Sequence, residues 1–242
     1  MASGRLPHTS QPDRAAGTSR EAGRGLVYAA IALSGFTALG SEVVWTRVLS
    51  LLFGATTYTF SLILAVFLVG LGLGSSVGSG LTRKFPQSRV ALGVCQLLLC
   101  AAMAWAAHVT GDSLPYWPIN PSIGREASYQ FQLDLLRALW VVLPAAVLWG
   151  ASFPLAVGAV ARRGQDVGRV VGNVYAANTV GAILGSILTS LFFVGHWGSQ
   201  VAQQILIGAS ALAGLLMLIS PSSSSERTSR GAVFGTVAMA LA

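Results

Sequence analysis

The chain has 242 residues, of which 53% are apolar and only 10% charged, with a mean hydropathy of +0.67. A soluble domain carries about 25% charged residues, so this composition excludes an ordinary soluble domain and implies an integral membrane protein. The net charge of +7 would suit a nucleic-acid binder, yet the basic residues gather at the ends of apolar runs, where membrane topology alone places them. The implied partner is the lipid bilayer and not nucleic acid.

Residues 1–25 are rich in Ser, Gly, Pro and Arg and hold too little apolar surface to fold, which predicts a disordered basic tail. The apolar run that follows is about twice the length of a signal-peptide core and no small-residue cleavage site closes it, so it is not a leader. A transmembrane helix needs about 20 mostly apolar residues. Six stretches reach that length: 26–53, 57–81, 90–109, 135–161, 170–194 and 201–219. They predict a transmembrane helical domain over 26–219. Between the third and fourth, residues 110–134 hold Pro115, Pro118 and Pro121, which prevent a continuous helix and predict an extracytoplasmic loop. Residues 220–230 form a Ser-rich loop, and 231–242 begin a seventh apolar run that, at about 18 Å of helix, is too short to span. The expectation is a longer protein whose sequence is cut here inside its seventh helix.

Short cytoplasmic loops collect Lys and Arg. Arg5, Arg14, Arg20, Arg24, Arg83, Lys84, Arg89, Arg162, Arg163, Arg169, Arg227 and Arg230 all fall on one side of the predicted topology, against Arg47, Arg125 and Arg137 on the other. This places the N-terminus in the cytoplasm. The predicted fold class is therefore all-α: a polytopic, transporter-like helical bundle with six complete transmembrane helices and the start of a seventh.

Glu42 is the single acidic residue well inside an apolar run, where an ionisable group costs about 2.5–3.5 kcal/mol on insertion scales. Arg47 stands about 140° around the helix from it, so a straight-helix ion pair is poor, and Gly40 and Ser41 suggest a local break. Glu42 either faces a cavity and binds a cation or proton, or it snorkels with Arg47 to the headgroups. Gly70, Gly74 and Gly78 repeat every four residues on one face of the second span, and Gly181 and Gly185 do so on the fifth. These are small-residue seams for close helix packing. Tyr175 and Asn178 share a face of the fifth span and either contact a solute or hydrogen-bond between helices, and Tyr58 belongs to a similar, weaker pair on the second span. Pro144 and Pro154 predict kinks in the fourth span. Cys95 and Cys100 lie on different helix faces, which argues against a disulfide or a metal pair. His8, His108 and His196 have no second ligand at metal spacing. The sequence contains no catalytic motif, no metal site and no cofactor site.

The segment Gly35-Phe-Thr-Ala-Leu-Gly-Ser-Glu42-Val-Val-Trp45-Thr-Arg47-Val-Leu-Ser-Leu-Leu-Phe-Gly54 resembles the opening of bacterial membrane proteins described as fused major-facilitator-like and spermidine synthase proteins. The likeness continues through Leu64-Ala-Val-Phe-Leu-Val-Gly-Leu-Gly-Leu-Gly-Ser75, Leu136-Arg-Ala-Leu139, Gly150-Ala-Ser-Phe-Pro-Leu155 and Val171-Gly-Asn-Val-Tyr-Ala-Ala-Asn-Thr-Val-Gly-Ala-Ile-Leu-Gly-Ser186. His196-Trp-Gly-Ser-Gln200 departs from it. The resemblance implies a transporter-like half, located in the bacterial inner membrane, that precedes a soluble aminopropyltransferase-like domain. That catalytic domain is outside this sequence. It also implies a membrane site built from Glu42, Trp45, Arg47, Tyr175 and Asn178 for a small cationic solute such as a polyamine, to which the polar pair on the second span adds Tyr58. The alternative is a structural subunit or anchor that holds other membrane subunits by its glycine seams and moves nothing.

Overall fold

The structure, a computed structural model, describes residues 11–84, 87–117, 127–161 and 165–219, with side chains from Gly23 onward other than that of Ala127. Six α-helices follow one another: α1 (Gln11–Phe53), α2 (Thr57–Lys84), α3 (Ser88–His108), α4 (Ala127–Val160), α5 (Val167–Leu188) and α6 (Gly198–Ile219). Among the described residues there is no strand. Among the described residues five helices are long and apolar enough to cross a membrane, with α5 and α6 counted as one helical run, Val167–Ile219.

Local chemistry explains the boundaries. Gly54, with φ +91°, takes the left-handed conformation that closes α1, and Thr59 Oγ1 donates to its carbonyl at 2.7 Å. The turn is so short that α2 must run back along α1. Asp166 caps α5 by accepting the Gly168 N–H at 2.9 Å. The run from α5 to α6 passes through a π-helical stretch, Thr189–Trp197, and then Gly198 with φ +80°, a conformation that side chains with a Cβ rarely adopt.

Four expectations need correction. α1 begins at Gln11, so residues 11–25 continue the first helix instead of a disordered tail; Ala15, Ala16, Arg20, Glu21 and Ala22 are good helix formers. Gly40 and Ser41 do not break it: α1 is continuous through both, and Gly40 gives room to Leu206 and Thr189. The predicted outer loop 110–134 is helical at both ends: a π-helical turn Val109–Ser113 and a 3-10 turn Leu114–Tyr116 extend α3, and α4 starts at Ala127. The fifth and sixth runs are joined by helix where a loop was expected. Pro118, Pro121, the loop 220–230, the segment 231–242 and residues 1–10 lie outside the described residues.

Helix directions follow from the seams. A Cβ on Gly181 would overlap the Ala32 carbonyl, one on Gly185 the Phe36 carbonyl, and one on Gly40 would meet Thr189, so α1 and α5 run parallel in direct backbone contact. In the same way Gly70 meets Ala146, Gly74 meets Val147 and Gly78 meets Ala151, which makes α2 and α4 parallel. Gly93 packs on Leu218 and Gly214 on Leu97. α6 therefore lies antiparallel to α3, and the chain turns back at Gly198.

These pairings contain an internal symmetry. Exchanging α1 with α4, α2 with α5 and α3 with α6 maps the set of packed pairs onto itself: α1–α5 becomes α2–α4, α1–α6 becomes α3–α4, α1–α2 becomes α4–α5, and α1–α4 and α3–α6 map to themselves. The correspondence extends to residues. Ala32–Gly181 answers to Val147–Gly74, Phe36–Gly185 to Ala151–Gly78, Gly35–Asn178 to Gly150–Leu71, and Gly93–Leu218 to Gly214–Leu97. Because α4 runs opposite to α1, the two three-helix units are inverted repeats about a pseudo-two-fold axis.

Candidate functional site

The axis passes between α1 and α4, and a polar network marks it. Thr37 Oγ1 donates to the Ser34 carbonyl at 3.0 Å and Ser152 Oγ to the Trp149 carbonyl at 2.7 Å. With both of those hydrogens engaged, Ser152 Oγ accepts from Ser34 Oγ at 3.0 Å and Thr37 Oγ1 accepts from Trp149 Nε1 at 3.1 Å. Position 34 is equivalent to 149 and position 37 to 152, so the network is itself two-fold. It satisfies every one of its buried donors, as a dry interior requires. Larger apolar clusters lie on either side, one around Trp45, Leu49, Leu62 and Met103, the other around Ile31, Leu92, Leu155 and Met217.

A pit of about 220 Å³ opens beside this network, lined from α1, α2, α4 and α5. Buried Ser34, Phe67 and Trp149 line its base, and half-buried Leu39, Phe153 and Asn178 with exposed Ser75 line its rim. Phe67 and Trp149 are in ring contact at 5.8 Å, and Ser75 Oγ donates to the Gly150 carbonyl at 3.2 Å. The pit can take an apolar or aromatic body and offer it neutral hydrogen-bonding groups. Its walls contain no charged side chain.

The structure gathers some of the sequence-predicted residues here and leaves others apart. Asn178 lines the pit, packed against Gly35. Tyr175 is exposed and lies at its edge, its ring 6.5 Å from Phe153. Glu42 is half-buried and does not line the pit; it follows Gly35 and Leu39 on one face of α1, a turn beyond the rim. Trp45 is 1% exposed and its ring packs on Trp149 at 5.6 Å, which leaves no free face for a solute. Arg47 is exposed, and among the described residues no ion pair joins it to Glu42. Tyr58 sits elsewhere, against Phe131 at 6.4 Å.

Sequence reasoning missed Phe67, Trp149 and Phe153. Phe153 stands directly before Pro154 and Trp149 directly before Gly150, small or kinked positions that bring a neighbouring backbone close, and that was the signal available. Among the described residues no group of three or more His, Cys, Asp or Glu could hold a metal ion. The fold and the pit define an all-α, multi-pass bundle of membrane type. No family model, curated protein or solved structure matches the chain.

Proposed function

We propose that the chain is the membrane part of a solute carrier, crossing the bilayer six times as two inverted three-helix repeats. The observation that carries this reading is the pit on the pseudo-two-fold axis, lined by equivalent residues of both repeats, which is the arrangement that alternating-access carriers use. A straight helix over Val167–Ile219 would be about 80 Å long, far beyond a bilayer, and the reversal at Gly198 resolves it into two crossings. The bias of Lys and Arg puts the N-terminus in the cytoplasm, in a bacterial inner membrane on the resemblance given above.

The solute on this reading is small and cationic, a polyamine being the case the resemblance favours, and the remainder of the protein is an aminopropyltransferase-like domain. Glu42 supplies the countercharge a turn above the pit, while aromatic rings within it suit an alkylammonium chain. Spermidine binding to the full chain in lipid nanodiscs tests this. Saturable binding weakened at least about tenfold, or 1.4 kcal/mol, by Glu42→Gln supports the reading; unchanged binding overturns it. The anchor reading has one observation in its favour, an outward face of α2 where Gly72 and Gly80 have nothing within 4 Å and a partner helix would fit.

A further inference from the structure

A second polar pocket lies where the first turns of α4 meet the last turn of α1. It has a volume of about 190 Å³ and is lined by Leu52, Phe53, Tyr129, Gln130, Leu133, Asp134 and Arg137. Arg137 is 7% exposed, and its Nε is buried with no hydrogen-bond partner. Among the described residues its countercharge is Asp134, with Nη1 3.7 Å from Oδ1 and both side chains largely buried. A charge-assisted hydrogen bond spans about 2.7–2.9 Å, so the pair is held apart, and a buried guanidinium with an open donor is costly until something fills it.

We propose that this pocket binds a small α-amino acid as its zwitterion, a site distinct from the axial pit and independent of the solute assigned to it. The carboxylate of the ligand takes Arg137 Nε and Nη2, the planar side-on fork that suits it, while Nη1 stays turned toward Asp134. Its ammonium group takes the Asp134 carboxylate, close to the C-terminus of α1, the negative end of that helix dipole. The charges of the pocket sum to zero and lie a few ångströms apart, which matches a ligand whose two charges flank one carbon. A simple carboxylate meets Asp134 unfavourably, and an amine or polyamine meets Arg137. Leu52, Phe53 and Leu133 leave an apolar wall for a side chain, and the volume is that of about six water-sized groups.

The test uses the full chain in nanodiscs and three probes of one shape: L-valine, 3-methylbutanoate, which lacks the ammonium, and 2-methylpropylamine, which lacks the carboxylate. Titration calorimetry is expected to give saturable binding of L-valine and at least about tenfold weaker binding of the other two, the loss of one charge-assisted contact in each. Arg137→Lys, which keeps the charge and loses the fork, weakens L-valine about tenfold, and Asp134→Asn turns the preference toward 3-methylbutanoate. Glu42→Gln leaves all of this unchanged, so a failed polyamine experiment does not decide this one. No L-valine binding to the unmodified chain, or equal binding of the three probes, overturns the proposal, as does L-valine binding that neither variant alters.

Discussion

The two halves of the bundle, α1–α3 and α4–α6, have the same helix pairings with the chain direction inverted, yet they differ where they meet the pit. Equivalent positions that contact backbone are conserved in kind: Gly35 and Gly150, Gly74 and Gly181, Gly78 and Gly185. Equivalent positions that present side chains to the pit diverge, with Leu71 against Asn178, Ala38 against Phe153 and Ser34 against Trp149. Packing demands symmetry because close helix approach tolerates only a hydrogen at the seam. On the carrier function proposed above, recognition does not, because a solute would present different groups to the two sides.

The strongest way to break this comparison is to load a seam. Gly181→Leu and Gly74→Leu, equivalent positions against carbonyls of Ala32 and Val147, should each cost about 3 kcal/mol through overpacking, seen as matched losses in thermal stability. Gly72→Leu, in open space on α2, should cost nothing measurable. A smaller effect is expected at the network. Thr37→Val leaves the Trp149 indole N–H without its acceptor and should cost about 1–3 kcal/mol. Thr37→Val with Trp149→Phe should cost less than the sum of the single changes, a coupling that a double-mutant cycle measures. The smallest stability effect belongs to Asn178→Leu, which gives the second repeat the residue the first has at Leu71. Stability should stay within about 0.5 kcal/mol while spermidine binding falls, sharpening the distinction between positions that pack and positions that recognise.

The helices were legible in the sequence because long apolar runs bounded by charges have few other meanings. Gly74, Gly78, Gly181 and Gly185 were legible as seams, since small residues four apart on a membrane helix form a packing stripe. That the two stripes are equivalent parts of inverted repeats was not, because the match lies in which carbonyl each glycine meets. Ser34, Thr37 and Ser152 carry no spacing signal in the sequence, because only the crossing of α1 and α4 makes them one network. Asn178 stood out because an amide in an apolar span must find a partner. Trp149 and Phe153 did not, because aromatic side chains in such a run serve core, lipid and solute equally well. The join between α5 and α6 was hidden for a local reason: Gly198 reverses the chain while helical hydrogen bonding continues on both sides of it.

Single-cysteine labelling tests the inversion of the repeats across a bilayer most directly. In a background with Cys95→Ala and Cys100→Ala, a cysteine is placed in turn at Val167, Gln200 and Ile219, all exposed at helix ends, and probed with a membrane-impermeant maleimide from each side of sealed vesicles. Labelling of positions 167 and 219 from the same face and of position 200 from the opposite face is the predicted result. Labelling of all three from one face would contradict two crossings between Val167 and Ile219, and with them the inverted repeat as a membrane-spanning unit.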